Sequence, residues 1–277
     1  MSGLYGTSNN LPPQIQLTTL PFELEYLVIN ERGQCPRANQ LKAQIAKDSP
    51  ILQKLYKSYA KPIQDASKII DPPKTLSIDQ VHDFVLPRVC HQIVMPCVKD
   101  EASEGGERCV DGKGVTEALA IFRSTDTAEI LRDAPLSKEL LKVGFGPAVA
   151  MVRKNIVQAK ERVKGQAVFS LYSGHDTTLM PLLGVLDSLD MRWPPYLSNI
   201  LIELWETPSS ESYIRVIYNS RIVTTTTNWC DLSWCPLQTF IDHLEKFLPG
   251  EDYLEKCQGE REGTTGRASA PYESNVR

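Results

Sequence analysis

The 277 residues carry 30 Lys and Arg against 34 Asp and Glu, a formal net charge of −4 with pI near 5.7. No basic surplus marks a non-specific nucleic-acid binder, and no run of 18 apolar residues marks a membrane-crossing helix. Hydrophobic content of 42% and charged content of 23% suit an ordinary globular core, in one large domain or two small ones.

In chain order, residues 1–17 read as an irregular segment without the basic start and apolar run of a signal peptide. "LEYLVI" (24–29) reads as a strand. Helical periodicity runs from Cys35 to Ile70, with Ser49 as an N-cap and Pro50 at a first helical position. A second helical segment covers 78–92. Residues 99–114 read as a polar, glycine-containing loop. Helices dominate from Val115 to Val163, the longest over 139–163. Residues 167–173, "AVFSLYS", are nearly all apolar or small, and read as a short strand buried on both faces. Residues 177–189 form a helix in which Pro181 is tolerable only in the first turn. "NILIELWET" and "SYIRVIYNS" read as strands around a turn at 208–211. A helix over 235–248 closes the ordered part, and 259–277 is a polar tail expected to be disordered. There is no internal repeat. The order predicts a mixed α/β protein: residues 18–165 a mostly helical cap with part of the core, and 166–258 the C-terminal part of an α/β core.

Seven cysteines, at 35, 90, 97, 109, 230, 235 and 257, include no CxxC pair. That is many for a reduced chain and suits a disulfide-stapled one. An odd count implies a free thiol, an intermolecular bridge or a missing partner. A secreted-style cysteine set without a signal peptide leads to the expectation that Met1 is not the natural beginning. A zinc site from Cys90, His91, Cys97 and Cys109 is the alternative, and its uneven spacing with adjacent Cys-His fits structural zinc poorly. No metal and no cofactor are expected.

The chemistry concentrates in "FSLYSGHDTTLMPLLGVL" (169–186), where an ionisable pair, His175-Asp176, sits between two apolar runs. Ligands of open α/β sheets bind beyond the carboxyl ends of strands, and the following helix N-terminus can hold an anion. Gly174 would permit a sharp turn and a close backbone approach. His175 could donate to an anionic group, and Asp176 could cap the helix or protonate a leaving group. The competing reading makes Asp176 only an N-cap and His175 only a structural hydrogen bonder. Thr177 and Thr178 could place a hydroxyl or N–H on a phosphate, or simply start the helix.

"YSGHDTT" resembles the C-terminal signature of the histidine acid phosphatases, as do "WPPYLSNILIELWE", "CPLQTFIDHL" and "GQCPRANQL". The resemblance runs from about residue 18 to 258. "VCHQIVMPCVKDEASEGGERCVDG", "IELWETPSSESYIRVIYN" and "FELEYLVINERGQCPR" narrow it to a branch acting on phosphorylated xylose in the glycosaminoglycan–protein linkage region. It implies a three-layer phosphoglycerate-mutase-like α/β fold with a helical cap. It implies His175 as a phosphate-pocket histidine, Asp176 as general acid, Thr177 as a phosphate contact, and a phosphorylated sugar or other phosphomonoester as substrate. It further implies a Golgi or secretory location through an N-terminal anchor, a Cys35–Cys257 disulfide, and a local Cys230–Cys235 bridge. Cys90, Cys97 and Cys109 remain, and two of them could pair. Ile78 and Asn199 stand where another family disulfide would lie.

The family's R-H-G-x-R-x-P motif supplies the nucleophilic histidine and two phosphate-binding arginines, and this sequence contains no R-H-G. His82, His91 and His243 lack a following glycine. The expectation is a chain with the acid half of the site and no nucleophile, its first core strand absent and its phosphatase activity negligible. A truncated gene model and a non-catalytic pseudo-phosphatase or binding remnant both account for it. Arg123 in "FRSTDTAEIL" mimics an arginine stretch of the family but occurs in the wrong order, and is expected on a surface helix. "GFGPAV" (144–149) breaks the G-x-G-x-x-G pattern at Val149 and lies inside a helix. Trp193, Trp205, Trp229 and Trp234 are expected to pack in core or cap, with Trp193 and Tyr196 as weak candidates to touch a sugar ring.

Overall fold

The computed structural model describes residues 35–71, 76–100, 106–165 and 167–258. The expected strand at 24–29, the irregular segment 1–17 and the tail 259–277 lie outside the described residues. The architecture mixes helix and sheet.

Helices α1 (Pro36–Asp48) and α2 (Pro50–Ile70) meet at Ser49. There the Ser49 hydroxyl accepts the Leu52 N–H at 3.2 Å, and Pro50 fills a first-turn position that needs no donor. Helix α3 (Ile78–Cys90) starts with a reciprocal pair: Gln80 N–H donates to the Ser77 hydroxyl, and Ser77 N–H to the Gln80 side chain. The stretch 99–114 is not simply a loop. It holds most of an antiparallel hairpin, β1 (Cys97–Asp100) and β2 (Gly106–Cys109), in register from Cys97 opposite Cys109 to Asp100 opposite Gly106. Its composition hid the strands because three of the four β2 residues face solvent, so no apolar alternation was needed.

Helix α4 (Gly112–Ala128) runs into a π-turn, Glu129–Asp133, and then α5 (Ser137–Lys160). Inside the π-turn the Ala134 N–H reaches the Glu129 carbonyl at 3.0 Å, one residue further than in an α-helix. The buried Glu129 carboxylate accepts the Ser49 hydroxyl at 2.6 Å, tying the α1–α2 corner to this turn.

Residues 167–173 form no strand. No described strand pairs with them; the Tyr172 hydroxyl accepts from the Asn155 amide, and Val168, Phe169, Leu171 and Tyr172 are exposed. Apolar composition alone cannot make a strand, because the backbone donors and acceptors need ladder partners. Helix α6 (Asp176–Val185) follows. Pro181 lies in its second turn rather than its first, removing one ladder bond while its ring is buried. Gly184 is required: a Cβ there would lie 2.6 Å from the Leu131 carbonyl oxygen, so glycine lets α6 lie directly on the π-turn.

The expected hairpin forms. Strands β3 (Ile200–Glu206) and β4 (Ser212–Tyr218) pair antiparallel from Ile200 opposite Tyr218 to Glu206 opposite Ser212. Strands β5 (Arg221–Ile222) and β6 (Cys235–Pro236) also pair with β4. Ile214, Val216 and Tyr218 point to the core at period 2. Helix α7 (Leu237–Glu245) covers that face with Phe240, Ile241 and Leu244, and α8 (Tyr253–Gln258) follows.

Two apolar clusters result. The larger joins α1, the start of α2, the π-turn, α5, α6, β4 and α7. The smaller joins Ile63, Ala66 and Ile69 of α2 to Val81, Val85, Val110 and Leu119. Tyr59 and Ile78 pack against both.

Three disulfides staple the chain: Cys35–Cys257, Cys97–Cys109 and Cys230–Cys235, leaving Cys90 free and exposed. Cys97 and Cys109 are bonded to each other, so their sulfurs are unavailable for the zinc alternative. By chain entropy, closing 222 residues with Cys35–Cys257 constrains the unfolded chain by about 5 kcal/mol. Under denaturing, non-reducing conditions one thiol per chain should titrate, and seven after reduction. The Cys35→Ser/Cys257→Ser double variant should show a denaturation midpoint shift equivalent to roughly that energy.

His243 is a buried histidine with a structural role. Its ring stacks on Trp229 at 3.6 Å between centroids, and Nε2 donates to the Val185 carbonyl at 2.7 Å. Burial pushes its pKa below the ordinary histidine range, against the opposing pull of that carbonyl. The unfolded chain takes up this proton near pH 6.5. The folded chain resists it to lower pH, so the stabilisation is present above about pH 6.5 and is lost as pH falls below it. Melting curves from pH 7.5 to 5 should therefore fall more steeply for the native chain than for His243→Phe, which starts lower because it leaves the Val185 carbonyl unpaired. Equal slopes would contradict this assignment.

Candidate functional site

The His175-Asp176 pair stands at the N-terminus of α6. His175 is the residue just outside the helix, in extended conformation (φ −121°, ψ 175°), and Asp176 is the first inside it. The His175 N–H donates to the Thr178 hydroxyl at 3.0 Å, and the Thr177 N–H donates to Asp176 Oδ1 at 2.8 Å. Thr178 is thus a helix-start residue, and Asp176 turns its carboxylate over its own first turn, where the dipole favours a negative charge. A Cβ at Gly174 would lie 2.6 Å from the Thr178 hydroxyl oxygen, so this glycine admits the threonine side chain. His175 is exposed and Asp176 half-buried.

Next to the pair opens a cavity of about 470 Å³ between α6 and the helices of the N-terminal half. Thr177 lines it, and the Thr177 Oγ1 atom is buried without a hydrogen-bond partner among the described residues. Met180 and Pro181 of α6 continue this wall, and Trp193 stands on it beyond the helix. The rest of the lining mixes apolar residues, Phe122 and Leu131 among them, with polar groups. Tyr56 of α2 donates its hydroxyl to Asp126 Oδ1 of α4 at 2.7 Å. Burial raises the Asp126 carboxyl above the usual carboxylate range, against the Tyr56 bond and the Arg123 charge. Burial and the Asp126 carboxylate together push the Tyr56 phenol upward as well.

Arg123 does not lie on an open surface. Its side chain is only 11% exposed and lines the cavity. It pairs with Asp79 of α3, and its guanidinium carbon lies 4.2 Å from the centre of the Trp193 ring. The "FRSTD" stretch is polar. The helix nevertheless turns Phe122 into the core and Arg123 and Asp126, three apart, toward one face. Trp193 is held through its backbone N–H, which donates to the Ser124 hydroxyl at 3.0 Å.

His82 of α3 is half-buried. Burial first, and the Arg123 charge second, lower its pKa, while the Asp176 charge raises it, so the α3 histidine lies within electrostatic reach of the pair. Tyr56, Asp79, Asp126 and His82 had no motif to advertise them. Only the three-residue spacing of Arg123 and Asp126 was visible in the sequence. Tyr196, by contrast, is exposed and does not line the cavity. Of the tryptophans expected to pack, Trp193 and Trp229 do so. Trp205 and Trp234 are 42% and 43% exposed on the outer face of the sheet, where Trp234 stacks on Tyr213 at 4.8 Å. Among the described residues, no helix is long and apolar enough to cross a membrane.

Residues 130–219, which contain the pair, α6 and the β3–β4 hairpin, match the family model of the histidine phosphatase superfamily (branch 2). Among curated proteins, the chain is similar to 2-phosphoxylose phosphatase 1 of Homo sapiens, at 26% identity over 247 residues, covering 82% of this chain and 48% of the relative. It is similar to lysophosphatidic acid phosphatase type 6 of Mus musculus, at 24% over 189 residues, covering 66% and 42%. It is also similar to prostatic acid phosphatase of Rattus norvegicus, at 27% over 242 residues, covering 81% and 56%. The chain spans about half the length of the curated relatives it matches. The Ser-Gly-His-Asp turn at the head of α6 lies inside this matched region, so over residues 130–219 the chain is similar to the histidine phosphatase superfamily (branch 2).

Proposed function

We propose that this site serves phosphomonoester hydrolysis of the histidine acid phosphatase type, with Asp176 as general acid and His175 as a phosphate-binding residue. The observation that carries the reading is the placement of His175 and Asp176 at the exposed head of α6, beside a cavity and inside the matched family region. As the bond between phosphorus and the ester oxygen breaks, Asp176 gives its proton to the departing oxygen, so that an alcohol leaves instead of an alkoxide. His175 donates to a phosphate oxygen, and Thr177 adds a hydroxyl nearby. Phosphoryl transfer depends mainly on positioning and charge stabilisation, so a nucleophile and further cations complete the chemistry.

The 277 residues contain no Arg-His-Gly. We therefore propose that they hold the acid half of the site, and that by themselves they bind phosphate esters without turnover. Among substrates, we favour phosphorylated xylose, because proteins named 2-phosphoxylose phosphatase 1 from five organisms match this chain. The three disulfides suit an oxidising compartment and thus a secretory, Golgi-type setting.

With p-nitrophenyl phosphate at mildly acidic pH, the purified chain should show no turnover above background, and inorganic phosphate should bind more weakly to His175→Ala than to the native chain. Turnover that disappears in Asp176→Asn would overturn the proposed lack of a nucleophile. Phosphate binding indifferent to His175 would overturn its role.

A further inference from the structure

We propose that the cavity beside Asp176 receives the alcohol portion of the phosphate ester, and that Asp126, flanked by Arg123, selects a hydroxylated ring there. The inference rests on the phosphate-site reading above and goes further by assigning the leaving group a place and a recognising residue.

Position comes first. Asp176 is followed directly by Thr177, which is part of the cavity wall, so an ester oxygen protonated by Asp176 lies next to the cavity. The volume, about 470 Å³, falls within the range of small-molecule sites.

Chemistry narrows the class. Met180 and Pro181 supply an apolar wall, and Trp193 lies against the Arg123 guanidinium. The same cavity is lined by a carboxylate and a guanidinium with capacity to spare. Asp126 Oδ1 is occupied by Tyr56, whereas no described residue donates to Oδ2. Arg123 uses one terminal nitrogen on Asp79, and its Nε is buried with no partner among the described residues. An acceptor and a donor one helical turn apart suit neighbouring hydroxyls, one donating to Asp126 and one accepting from Arg123. The apolar wall suits the C–H face of the same ring. An acyl chain would desolvate Asp126, Asp79 and Arg123 without returning a hydrogen bond, which costs free energy at each group. Sites built to bind a hydroxyl reject analogues lacking it by large factors.

The raised Asp126 carboxyl is consistent with a group held partly away from water. Tyr56 acts as its positioning residue, since one fixed bond to Oδ1 aims Oδ2.

Calorimetric titration of the 277-residue chain tests this with four probes: inorganic phosphate, xylose 2-phosphate, lysophosphatidate and methyl xyloside. Xylose 2-phosphate should bind at least tenfold tighter than inorganic phosphate and tighter than lysophosphatidate. Asp126→Asn should weaken xylose 2-phosphate about tenfold or more, the loss expected for a hydrogen bond to a charged group, and leave inorganic phosphate unchanged. His175→Ala should weaken both. Asp126→Asn keeps an oxygen for Tyr56 to bond, and an unchanged melting temperature shows that it folds; Trp193→Leu, which removes the ring against Arg123, provides a second variant with the same expected pattern. Equal affinities for xylose 2-phosphate and inorganic phosphate overturn the inference, as does indifference to Asp126 or a preference for lysophosphatidate. If inorganic phosphate does not bind at all, the phosphate-site reading fails separately. The cavity is then decided by methyl xyloside, whose perturbation of the Trp193 indole N–H resonance must be lost in Asp126→Asn for the inference to stand.

Discussion

Two helices are shared by both apolar clusters: α4, through Phe122 and Leu119, and α2, which contributes more residues to each. The first half of α2, with Leu52 and Leu55, belongs to the larger cluster, and its second half, with Ile63, Ala66 and Ile69, to the smaller. Where the clusters part, Tyr59 and Ile78 touch both, and Tyr56 lies on the wall of the cavity. Neither cluster can shift without moving this helix. The cavity is therefore a consequence of how the core is divided, and its polar groups, Tyr56, Asp79, Arg123 and Asp126, come from the helices that meet there.

The polar groups at that seam are arranged in pairs. Tyr56 holds Asp126, Asp79 holds Arg123, and Arg123 covers Trp193. Each ionisable group thus has one partner inside the protein while keeping some hydrogen-bonding capacity. A fully satisfied network would be inert, and a wholly unpaired one would be too costly to bury. On the other side of the seam, the His175-Asp176 turn is held by the bonds from His175 to Thr178 and from Thr177 to Asp176. The placement of this pair thus depends on local backbone chemistry, while the cavity depends on tertiary packing.

That difference explains what could be read from the sequence. Local signals were legible: the Ser49-Pro50 helix start, the turn at 208–211 between β3 and β4, and the position of His175-Asp176 at a helix head. Each depends on residues within a few positions of one another. The resemblance to histidine acid phosphatases pointed to the same turn, and the family match over 130–219 agrees. What depended on distant partners was misread. Residues 167–173 have strand-like composition but no described ladder partner. The β1–β2 hairpin lacks apolar alternation because β2 mostly faces water. Nothing within its own helix marks Arg123 as covered, because the residue that comes to lie against it, Trp193, is seventy positions later.

The π-turn at Glu129–Asp133 has a geometric consequence. An α-helix advances about 100° per residue, and a turn closed one residue wider shifts the angular phase of everything after it. Upstream, the helix directs Arg123 and Asp126 to the cavity; downstream, Leu131 is buried in the larger cluster and its carbonyl meets Gly184. The single wide turn thus changes which residues of one continuous helical run meet the same cavity: Arg123 and Asp126 before it, Ile130 and Leu131 within it, with no loop between them.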